Sequence, residues 1–147
     1  MGYFISGHDD PNYRDESLVG SLDLSMFVDE ASVGSRINIP KLGQIQFYVY
    51  GKEGKIPHFH IVTTDRSFES CLCIYEAKYF THGSKTGTFN RKQLEEIDRY
   101  LRSEHPVLTG ATIWQIIANT WDDNNGTKIL TKKSKQPDYS MTVESIH

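Results

Sequence analysis

The chain has 147 residues, a formal net charge of −3 and two cysteines. That length suits one ordinary domain of about 100–150 residues with some excess, and a chain of this size folds without a disulfide framework. No stretch reaches the roughly 18–20 apolar residues needed to span a bilayer, and the opening MGYFISGHDDPNYRDE carries neither a basic nor an apolar signal region. These features predict a cytoplasmic protein with no membrane partner. Cys71 and Cys73 stand too close together to staple a secreted fold.

Charge is unevenly spread. Residues 1–35 hold seven acids and one base, a balance of −6. Residues 127–147 hold four lysines and two acids, a balance of +2. No strongly basic patch announces nucleic-acid binding, and the acidic front would repel a phosphate backbone. This division predicts an acidic extension over 1–39, a core domain over 40–126 and a basic tail over 127–147.

In chain order, residues 1–20 read as irregular, with a turn cluster at Asp9-Asp-Pro-Asn12. Leu22, Leu24, Met26 and Val28 then alternate with a period of two, the mark of a half-buried strand. Arg36–Ile39 reads as a short strand stopped by Pro40. Gln44–Tyr50 is rich in β-branched and aromatic residues and gives the clearest strand signal. Gly51–Gly54 is a turn, Ile56–Thr64 a second strand, Asp65–Ser67 another turn and Phe68–Tyr75 a third strand. These three strands form an antiparallel meander.

Two helices come next. Asn90 is a suitable N-cap, with Gln93 placed to complete a capping box. Leu94, Ile97 and Leu101 give that helix one apolar face. Beyond Pro106, Ile113, Trp114, Ile117, Ala118 and Trp121 mark a second amphipathic helix, ended by Asn124-Asn-Gly126. Lys128–Thr131 reads as a short strand ahead of a polar tail. Strands and then helices predict an α+β fold, an antiparallel β-meander packed against two C-terminal amphipathic helices.

The most distinctive segment is Ile56-Pro-His-Phe-His-Ile-Val62. On a strand, His58 and His60 share one face, roughly 6–7 Å apart. Three readings are open. As metal ligands, the pair needs more donors, and Cys71 and Cys73, also two apart, would supply a Cys2His2 zinc set if the faces coincide. As an acid–base pair, the imidazoles would cleave a phosphoester with cationic help, and His82, Lys85 and Arg91 could join them. As structural residues, they pack their rings and hydrogen-bond through one nitrogen, with Pro57 marking a strand start.

Other constellations favour structure. Tyr75, Tyr79, Phe80 and Phe89 flank Thr81–Thr88, a loop without the full phosphate-binding pattern, and read as core. Trp114 and Trp121 have core spacing. Asp122 and Asp123 end a helix where its dipole disfavours acids, a hint of a neighbouring cation.

Gly54-Lys-Ile-Pro-His-Phe-His-Ile61, coming after an aromatic strand, resembles a small bacterial family described only as a domain of unknown function. The shared pattern is Pro57, His58 and His60, then Leu94 and Ile97, then a closing helix with Trp121. It covers about residues 44–125. The resemblance implies a small intracellular protein encoded beside genes of toxin–antitoxin character. The chain departs from that pattern by some forty extra N-terminal residues, a longer loop at 76–90, the basic tail, and Cys71 and Cys73. The expected function is a binding or regulatory module of a toxin–antitoxin-like pair, with a protein partner, a cleft on its concave face lined by His58 and His60, and Tyr48, Tyr50 and His82 beside them. The alternative is a histidine-dependent RNA or phosphoester hydrolase, metal-assisted or not. An assembly role is the third reading, and an exposed apolar face on the second helix would be its sign.

Overall fold

A computed structural model describes residues 16–25, 43–51, 56–80, 87–127, 135–142 and 145–146. The fold is α+β. Strands β1 (Glu16–Asp23), β2 (Gln44–Tyr50), β3 (His58–Thr63), β4 (Glu69–Cys73) and β5 (Tyr79–Phe80) precede helices α1 (Arg91–Arg102) and α2 (Ile113–Asn125). A 3-10 turn at Tyr139–Met141 and strand β6 (Ser145–Ile146) close the chain. The sheet order matches the sequence, β1 to β6. Each of β1 to β4 is antiparallel to the next, and β6 is parallel to β5.

Strands β2 and β3 form where β-branched and aromatic residues concentrate, and β4, without any, pairs along β3. Alternation sorts their side chains onto two faces. Ile45, Phe47, Val49, Phe59, Ile61 and Leu72 face the helices and join Ile97, Leu101, Ile113, Ile117 and Trp121 in the main core. Tyr48, Tyr50 and Val62 form a separate cluster on the opposite face.

Both helices carry complete capping boxes. In α1 the Asn90 side chain accepts from the Gln93 amide, and the Gln93 side chain accepts from the Asn90 amide. Thr112 and Gln115 repeat the device for α2. Gly126 ends α2 at φ 67°, a left-handed cap that glycine adopts without strain. The apolar face of α2 is buried. Asp122 at its end accepts from the Thr127 hydroxyl, so a local donor offsets part of the dipole mismatch.

Strand β1 begins at Glu16, within the stretch expected to be irregular. Its sequence is hard to read because one residue is out of step: the register shifts between Leu18 and Gly20, a bulge at Val19. His105 satisfies the bulge. Its Nδ1 accepts from the amides of Val107 and Leu108, so Nε2–H donates to the Val19 carbonyl at 3.2 Å. Gly20 sits under Tyr100, whose hydroxyl accepts from the Ser21 amide and would collide with any Cβ added at Gly20.

The core also draws on residues beyond 126. Tyr139 is fully buried, meets Phe59 edge-on at 5.9 Å, and points its hydroxyl at the carbonyls of Cys73 and Ile74, 2.6 and 2.9 Å away. Strand β5 lies inside the segment expected as loop; two residues are too few to show a period. The expected elements at Met26–Val28, Arg36–Ile39 and Lys128–Thr131, and most of the Gly51–Gly54 turn, lie outside the described residues. Among the described residues, no helix is long and apolar enough to cross a membrane.

Candidate functional site

The histidine strand starts directly after Pro57, where the missing amide costs no ladder bond. Strand register decides which side chains meet there. His58 is opposite Cys73 and His60 is opposite Cys71, so the two histidines and two cysteines share one face. Val62 is opposite Glu69, two residues before Cys71, which puts Glu69 on that face and diagonal to His60.

All four expected ligands are buried, His58 at 0% and His60 at 1% exposure, Cys71 at 1% and Cys73 at 2%. They do not form one four-donor centre. The donors that converge among the described residues are His60, Glu69 and Cys71, all within 4.8 Å of one another. His60 Nδ1 lies 2.8 Å from Glu69 Oε2 and 3.3 Å from Cys71 Sγ. Glu69 is the least buried of the three, its side chain 13% exposed.

His58 and Cys73 are placed differently. His58 Nδ1 is 2.8 Å from the Ile56 carbonyl, so that nitrogen carries the proton and donates. Its ring stacks on Phe80 at 4.1 Å and meets Trp121 at 5.3 Å. Burial pushes the Cys73 thiol up to about 12, helped by the Glu76 carboxylate, which keeps it a neutral thiol near neutrality.

Aromatic rings hold the imidazoles in place. Tyr50 stacks on His60 with centroids 4.2 Å apart and planes at 22°. The two imidazoles are 5.2 Å apart. Tyr48 is paired with His60 in register, while its hydroxyl donates to Gln46, and Arg66 lies over its ring at 5.3 Å. Desolvation raises the Tyr50 phenol well above its ordinary value, with the Glu16 carboxylate adding to the effect.

Arg91 opens α1, largely exposed and paired with Glu95 at 3.3 Å. His82 and Lys85 lie outside the described residues. Glu69 escapes a sequence reading that looks for nitrogen and sulfur donors. Its signal is nonetheless present: Glu69, Cys71 and Cys73 alternate along β4, so any pairing of the cysteines with the histidines includes Glu69.

Compared with family models, curated proteins and solved structures, the chain matches none.

Proposed function

We propose that this protein is a binding or regulatory module of a toxin–antitoxin-like bacterial pair, acting on a protein partner in the cytoplasm. One observation carries the choice of module over hydrolase: His58 and His60 are buried, and each has its Nδ1 already engaged by a near neighbour. A general acid or base must come within about 2.6–3.2 Å of the proton it moves, or reach it through one water. Imidazoles sealed between strands and aromatic rings are poorly placed to do that on an RNA chain. The bacterial setting and the paired partner rest on the resemblance over residues 44–125.

Two measurements test the reading. Co-expression with the adjacent open reading frame should give a complex stable to gel filtration. The full chain should show no RNA or phosphodiester turnover beyond that of a folded His58→Gln, His60→Gln double variant. Turnover that the double variant abolishes, with no complex formed, would establish the hydrolase instead.

A further inference from the structure

We propose that His60, Glu69 and Cys71 form a binding site for a zinc-class divalent transition metal. The inference rests on the module reading, in which these largely buried side chains are not catalytic, and assigns them an ion to hold.

The three donor atoms already converge on one point. His60 Nδ1 can carry one hydrogen, yet it faces Glu69 Oε2 at 2.8 Å and Cys71 Sγ at 3.3 Å. Without a metal, Nδ1–H donates to the carboxylate and the Cys71 sulfur is a weak second acceptor. A cation would instead take a lone pair from all three atoms, which already lie within 4.8 Å of one another.

Donor chemistry then selects the ion. One imidazole, one carboxylate and one thiol are the borderline-soft set that suits zinc and its neighbours, whereas magnesium and calcium take oxygen ligands. On metal entry the Cys71 thiol proton leaves to solvent, and an imidazole proton on Nδ1 shifts to Nε2. Three protein ligands leave a fourth tetrahedral position for water.

The fold supplies rigidity. His60 and Cys71 are cross-strand partners on central strands, and Glu69 is two residues from Cys71 on the same strand. Tyr50 fixes the plane of the His60 ring. Glu69, the ligand nearest solvent, gives the ion a way in.

The full chain, stripped with chelator and shown to be folded by circular dichroism, would be titrated with cobalt(II) alone. The expected result is one cobalt per chain, with a thiolate-to-cobalt charge-transfer band and the intense visible bands of a tetrahedral ion, both lost on adding zinc. Cys71→Ser should remove the charge-transfer band, and Cys73→Ser should leave it intact. Glu69→Gln, at the most exposed ligand and safest for folding, should weaken binding by about tenfold or more. No charge-transfer band in the parent chain, or a band that depends on Cys73 instead of Cys71, overturns the site. Gel filtration with the partner is read separately. A lost complex with intact cobalt binding sinks the module, and an intact complex without cobalt binding sinks only the metal site.

Discussion

The two faces of the central sheet are both buried but built from different chemistry. The helix-side face is almost wholly hydrocarbon, with Phe47, Phe59, Ile61 and Leu72 under α1 and α2. The opposite face places His58, His60, Glu69, Cys71 and Cys73 among Tyr48, Tyr50 and Phe80. Burying apolar side chains stabilises a fold directly. Burying imidazole, carboxylate and thiol does so only when each finds a partner. The first face therefore carries most of the folding energy, and the second carries the recognisable chemistry. The contrast also explains why the histidine motif is so visible in the sequence: it breaks the apolar pattern of an otherwise buried strand.

The contrast can be broken by unequal substitutions. Phe59→Ala removes a ring fully buried between Phe47 and Tyr139, and should cost about 3–5 kcal/mol in urea unfolding. Cys73→Ala, in register with His58 on the other face, deletes one small buried group and should cost about 1 kcal/mol. Equal costs would mean that the two faces share the load.

Next in size is Gly20→Ala. The new methyl would collide with the Tyr100 hydroxyl, while the next ring atom stands at 3.3 Å. Overpacking of this kind costs about 1–3 kcal/mol. Adding Tyr100→Phe removes the clashing oxygen and should restore part of the loss, a coupling that a double-mutant cycle measures directly. Strict additivity would show that the helix layer does not clamp β1 there. Tyr139→Phe should cost about 1–2 kcal/mol, since it leaves the Cys73 carbonyl without this donor while the Trp114 indole still serves Ile74.

Much of this architecture is legible in the chain because its signals are local. β2 declares itself through Ile45, Phe47 and Val49, and α1 through Asn90, Gln93 and the Leu94–Ile97–Leu101 stripe. What escapes depends on long-range pairing. The bulge at Val19 puts β1 out of step, and His105, far along the chain, is what satisfies it. Tyr139 sits in a polar tail, and nothing nearby in sequence says that its ring belongs beneath Phe59. For the site, same-strand spacing reveals the shared face of His58 and His60, while the choice of donors needs the register that sets Cys71 against His60 and Glu69 on its diagonal.

The smallest expected effect separates the faces by pH. Burial raises the phenols of Tyr75, Tyr79, Tyr100 and Tyr139, all packed in or against the helix-side core, and Tyr75 is pushed up to about 12 with help from the Asp122 carboxylate. Each is an acid that holds its proton more tightly when folded. Well below an ordinary tyrosine value of 10.0 both states keep the proton, and the groups add no pH dependence. Above that value the unfolded chain ionises while the folded chain does not, so stability falls as pH rises through 10 towards 12. Denaturant midpoints taken between about pH 8 and about pH 11 should decline, and Tyr75→Phe should shallow the decline without changing the neutral plateau by more than about 1 kcal/mol. An unchanged slope in Tyr75→Phe would place the alkaline loss elsewhere, with Tyr50 on the opposite face, also raised by burial, as the next tyrosine to replace. If Tyr50→Phe were the variant that flattened the curve, the polar face would be the one that fails first in alkali, and the division of labour between the faces would have to be redrawn.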